Sequence, residues 1–244
     1  HQRRRSDESD MSSGTILAID TATPQGGIAL WQGDRLLTQA LLTVHREHSK
    51  RLFVEIDQAL MATGTERDQI AAIAVTIGPG SFTGLRIGLS AAKGLCMALD
   101  VPLIPISTLE VLAARLLWVP QPVVCLLDAR RGEVYSAVYD TSDGSLRCLE
   151  APQATTVADL LVRWRGDGVL FTGDGVDAYA DQLASSSGAS LAPASVRGPD
   201  AAALAWLAAD RLQDGVTADP STVEPEYLRT PTFVTAAEQA ARVG

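Results

Sequence analysis

The chain has 244 residues, 46% of them apolar, which is enough for one large domain or two small ones and excludes a disordered chain. It carries 20 basic and 29 acidic residues, a formal net charge of −9, which argues against a direct grip on a nucleic-acid backbone. The only basic cluster is Arg3, Arg4 and Arg5, in a stretch that holds as many acids. Cys96, Cys125 and Cys148 are odd in number and widely spaced, so neither a disulfide framework nor a zinc site is expected; they read as buried free thiols. No apolar run approaches the ~20 residues of a membrane span. The polar N-terminus has no apolar stretch after it, so no secretory signal is expected and a cytoplasmic protein is. Residues 1–14 are expected to be a disordered extension.

Thr15-Ile16-Leu17-Ala18-Ile19-Asp20 predicts a buried strand, Ile28–Trp31 a second, and Arg35–Thr43 a third after the Gly33-containing hairpin turn. From His45 to Ala62 the apolar residues Leu52, Phe53, Ile56, Ala59 and Leu60 take helical spacing. Ala71–Ile77 is a continuous apolar strand, as in a sheet covered on both faces. A glycine-rich loop follows, then a helix over Thr83–Leu99, a strand over Val101–Ile104, and a helix capped by Ser107 that runs to about Trp118. After Pro120 and Pro122 the theme restarts: the strand Val123–Asp128, a turn at Arg130-Arg131-Gly132, and the strand Glu133–Tyr139. A helix over Thr155–Trp164, a strand over Val169–Thr172 and a helix over Asp200–Gln213 complete the pattern. The repeat predicts two lobes, at residues 15–119 and 120–244.

The loop Gly78-Pro79-Gly80-Ser81-Phe82-Thr83-Gly84 stands between strand and helix, where amides and the helix dipole favour an anion. It lacks the Lys and Ser/Thr of a P-loop, has one residue too many for a dinucleotide fingerprint, and does not fit a nucleophile elbow. Ser81 and Thr83 are then helix-capping hydroxyls or phosphate contacts. In the helix that follows, Arg86, Ser90 and Lys93 form a narrow polar stripe. Gly84, Gly88 and Ala92 recur at every fourth position, which suits close backbone packing either inside this chain or against a partner.

Ile16–Thr23, Arg46-Glu47-His48-Ser49, the glycine loop with Leu85-Arg86, Ile106-Ser107-Thr108-Leu109-Glu110, Asp128–Tyr135 and Glu224–Arg229 together resemble the TsaB family. The resemblance is strongest over residues 15–140. It implies an α/β fold of the actin/Hsp70-like ATPase (ribonuclease H-like) type in two lobes. It also implies a non-catalytic scaffold that activates TsaD, with TsaE as a further partner, for threonylcarbamoyl transfer to the adenosine beside the tRNA anticodon. Contact with tRNA is then indirect, and self-association into a homodimer is expected. The family's catalytic relative holds a metal with two histidines in the segment matching residues 106–112, where this chain has Thr108 and Leu112; no metal and no catalytic residue is expected. His45 and His48 read as solvated helix residues.

The resemblance places the partner interface on the first two helices, with Leu52, Ile56, Gly84, Gly88, Ala92 and Leu95 as its expected residues. Two other readings compete. One is an independent ATPase or small-molecule kinase of the same fold; Asp20, Thr21, Gly78, Gly80 and Ser81 are the candidates for a weak nucleotide contact, and no cofactor is required otherwise. The other is a peptidase, for which Ser81 has no recognisable His and Asp partners.

Overall fold

The computed structural model describes residues 14–43, 48–165 and 168–228. The expectations for residues 1–13, for His45 and for Arg229 lie outside these. The described residues form two five-stranded sheets. The first contains β1 (Thr15–Asp20), β2 (Gln25–Gln32), β3 (Arg35–Thr43), β4 (Ile70–Gly78) and β5 (Leu103–Ser107), in the order β3-β2-β1-β4-β5. β1 pairs antiparallel with β2 and parallel with β4. The second sheet contains β6 (Val123–Asp128), β7 (Val134–Asp140), β8 (Arg147–Thr155), β9 (Val169–Thr172) and β10 (Ala189–Leu191), in the order β10-β9-β6-β7-β8. β6 stands between an antiparallel β7 and a parallel β9, so each sheet is built the same way around its first strand. The expected duplicated two-lobe α/β architecture is the one observed.

Alternation along β1 explains how the first sheet is covered on both faces. Leu17 and Ile19 face helices α1 (His48–Thr63) and α2 (Phe82–Leu99), together with Leu52, Ile56, Leu89 and Ala92. Ile16 and Ala18 face the opposite way. There they meet Val111 of α3 (Thr108–Ala114) and Leu204, Ala205 and Ala208 of the C-terminal helix. Leu109, Leu112 and Ala113 of α3 pack instead on Val123, Cys125 and Leu127 of β6, so this short helix joins the two lobes. On the outer face of the second sheet lie α4 (Val157–Arg163), α5 (Gly175–Ala178) and α6 (Ala180–Ala184).

Three expectations are corrected. Helix α7 (Ala201–Gln213), the last among the described residues, belongs with the first lobe, because its alanine-rich face packs on β1 and β2. The following stretch stays there: Ala218 N–H donates to Leu103 O, and Glu226 N–H donates to Ile77 O. Among the described residues the first lobe is therefore 15–119 plus 200–228, rather than 15–119 alone. Second, α3 ends at Ala114 and not near Trp118; Leu116 N–H turns back to Ala113 O, and Trp118 takes a left-handed φ of 67°. Third, Cys148 is exposed while Cys96 and Cys125 are buried. Burial pushes the Cys96 thiol up to about 12, well outside the reactive range.

Candidate functional site

The strand ends named by the sequence come together in matched pairs. Asp20 closes β1 and is fully buried. Its Oδ1 accepts from Ala22 N–H at 3.0 Å and from the Thr76 hydroxyl at 2.8 Å. Its Oδ2 has no hydrogen-bond partner among the described residues. Burial outweighs those two bonds and raises its pKa from 3.8 to about 6, with a small further push from Asp200. In the second lobe Asp128 closes β6, and its Oδ1 accepts from Arg130 N–H at 2.9 Å in the same turn geometry. Gly78 and Gly173 end the parallel neighbours β4 and β9 with φ of 130° and 104°. A side chain on Gly173 would collide with Leu126 O. Asp128 N–H donates to Asp174 Oδ1 at 2.9 Å; burial raises the Asp174 pKa, and Asp128 nearby adds to it.

Around the first-lobe loop the chain's own backbone fills the space. Ser81 N–H donates to Ala22 O at 2.7 Å, and Ser81 Oγ caps the helix by accepting from Gly84 N–H at 3.2 Å. The Thr21 hydroxyl donates to Gly84 O at 2.8 Å. A Cβ on Gly80 would strike Ala22 O, one on Gly84 would strike Thr21 O, and one on Gly88 would strike the Thr21 hydroxyl. Asp20, Thr21, Gly80 and Ser81 are thus brought together, with Gly78 packed beside Glu226 O. Of the two readings left open for the small-residue stripe, the one inside the chain holds: α2 lies directly on the end of β1.

The expected interface residues sit mostly in the chain's own core. Leu52 is 1% exposed, Ile56 4% and Ala92 0%; Gly84 and Gly88 are buried, and Leu95 packs against the same core. They shape the helix pair from its inner side, and Leu52 also borders its exposed side. The exposed side of the same two helices is different. Phe53 is 44% exposed and Phe82 40%, and together with Arg86, Ile87 and Ala91 they line a groove of about 490 Å³ floored by Leu52. A helical projection that turns Leu52 and Ile56 inward puts Phe53 about 100° away from Leu52, which is the signal that finds it.

The C-terminal stretch closes one end of this surface. The Tyr227 ring lies 5.4 Å from Phe82, tilted by 31°. The Arg86 guanidinium sits 3.9 Å above the Phe82 ring, and its Nε–H donates to Tyr227 Oη at 3.2 Å. No group of His, Cys, Asp or Glu among the described residues could hold a metal ion, and no described helix is long and apolar enough to cross a membrane.

Residues 42–237 match the family model described as TsaD, tRNA N6-adenosine threonylcarbamoyltransferase. The chain is 32% identical over 219 residues to the tRNA threonylcarbamoyladenosine biosynthesis protein TsaB of Bacillus subtilis, spanning 88% of this chain and 94% of that protein. It is 34% identical over 221 residues to the Escherichia coli protein of the same name, with the same coverage of both chains. The solved structure of YeaZ from Pseudomonas aeruginosa superposes with a TM-score of 0.78 at 28% identity, covering 88% of this chain and all of that one.

Proposed function

Since the chain belongs to the TsaB family, we propose that it takes part in forming threonylcarbamoyladenosine on tRNA, as a non-catalytic partner that docks and activates a TsaD counterpart. The observation that carries this reading is the groove on the outer face of α1 and α2. Its aromatic and aliphatic lining is exposed on two rigid helices whose inner faces are fixed in the core. Large exposed apolar side chains grouped on one face are what a protein–protein contact requires. The loop at Asp20 supports the non-catalytic part: two of its amides, Ser81 N–H and Gly84 N–H, are engaged by Ala22 O and Ser81 Oγ. Thr108 and Leu112 supply no metal ligand at the positions that the resemblance marks, and both are buried. Contact with tRNA then comes through the complex, as the net charge of −9 favours, and the setting is the cytoplasm. The same groove suits self-association when no partner is present, and a TsaE counterpart joins the assembled pair.

Reconstitution tests this reading. Threonylcarbamoyl transfer to tRNA by the TsaD counterpart should rise strongly when this chain is added, and should stay at the basal level with Phe53→Asp. Equal stimulation by both would rule out the groove as the docking surface. Transfer by this chain alone would overturn its non-catalytic role.

A further inference from the structure

Arg86 is held by an aromatic ring and a phenol oxygen instead of by a carboxylate. Eight arginines among the described residues each hold a carboxylate within 4.0 Å. Arg86 is exposed and has no carboxylate partner among the described residues, yet its side chain is held in place twice. Phe82, one helical turn before it, takes the flat face of the guanidinium, and Tyr227 Oη accepts from Nε–H. These contacts use one face and the Nε–H edge. They leave the terminal Nη1/Nη2 edge, which presents two parallel N–H bonds in the geometry that a carboxylate accepts.

The position of this edge matters as much as its freedom. Arg86 and Ser90 form the ridge between the apolar groove and a smaller notch lined by Lys93, Glu224 and Tyr227. Glu224 shares that notch without pairing with Arg86. The ridge therefore offers oriented positive charge beside an apolar trough, on a chain whose overall charge is −9.

We propose that Arg86 is the specificity-determining anchor of the docking groove: it takes a carboxylate carried on the otherwise apolar docking face of the TsaD counterpart. Tyr227 is the positioning residue that holds the guanidinium in place. The inference rests on the docking reading above. A reduced ordering cost and a wrong-partner penalty both follow from the arrangement. A guanidinium already held loses little freedom on binding, and a partner without the acid would leave Arg86 desolvated and unpaired.

Calorimetric titration of the purified TsaD counterpart into the full chain tests it, with the unfolding temperature of each variant recorded beside the affinity. Arg86→Ala should weaken binding by about 10- to 100-fold, and Arg86→Lys by nearly as much, because an ammonium cannot reproduce the fork. Tyr227→Phe, which keeps the ring and removes the acceptor, should weaken it by roughly threefold. Raising salt from about 0.05 M to about 0.5 M should weaken the wild-type chain more than Arg86→Ala. A merely structural Arg86 would instead change the unfolding temperature and leave the salt response untouched. Wild-type binding with Arg86→Ala and Arg86→Lys within twofold of it would overturn the anchor and leave the docking reading standing. Absence of wild-type binding would remove both.

Discussion

The carbonyl oxygen of Thr21 occupies the place that a methyl group on Gly84 would need. This single approach joins the end of β1 to the first turn of α2, and the Thr21 hydroxyl completes it by donating to Gly84 O at 2.8 Å. Glycine inside a helix costs up to about 1 kcal/mol against alanine, and here the close backbone approach offsets that cost.

Gly84→Ala should therefore push α2 away from the sheet and lower stability by roughly 1–3 kcal/mol or more. Gly94 lies in the same helix with open space around it. Gly94→Ala should raise stability by up to about 1 kcal/mol. Urea unfolding of the two variants, followed by circular dichroism, checks both signs at once.

Asp20 gives a pH dependence of definite sign. Its folded pKa, about 6, is raised above the ordinary 3.8, so the folded chain binds more protons than the unfolded chain between those values. Stability should fall as pH rises from about 4 to about 6, by on the order of 1–3 kcal/mol from this group, and level off above. Asn at this position keeps an acceptor for Ala22 N–H and Thr76 and removes the buried charge. Asp20→Asn should then gain on the wild-type chain as pH rises through this window, measured by thermal unfolding in matched buffers.

Arg211 ties the C-terminal helix to the element between the lobes. Its Nη2 donates to both Glu110 carboxylate oxygens at 2.6 Å, and its Nη1 donates to Pro105 O at 2.6 Å. Both side chains are mostly shielded, at 27% and 20% exposure. Arg211→Met should lower stability by about 1–3 kcal/mol, since Glu110 and a strand carbonyl lose a charged donor together. Equilibrium urea unfolding measures it.

How much of this was legible in sequence depends on which contacts are local. β1, β4 and α2 could be read because burial on both faces leaves a continuous apolar run or a helix with one narrow polar stripe. β8 could not: most of Arg147–Thr155 is exposed or half-buried, so it carries no apolar period, and its place at the sheet edge comes from pairing with β7. The helix over Asp200–Gln213 was expected where it is found, with Asp200 capping Ala202 and Ala203. Its return to the first sheet was not, because nothing in a local pattern names a partner strand nearly 200 residues earlier. The candidate site shows the same division. The stripe Gly84, Gly88 and Ala92 announces a close approach, but only the fold shows that Thr21 makes it. Phe53 and Phe82 meet the solvent because Leu52 and the glycine face of α2 turn toward the core.

The proposed docking surface is the outer groove of α1 and α2. Sedimentation velocity of the chain mixed with its TsaD counterpart at micromolar concentration tests it most directly, with Phe53→Asp run alongside. A faster heterodimer boundary is expected for the wild-type chain, and two separate slower boundaries for Phe53→Asp, whose circular dichroism and unfolding temperature match the wild type. A complex of equal strength with Phe53→Asp, or no complex with the wild-type chain, would contradict it.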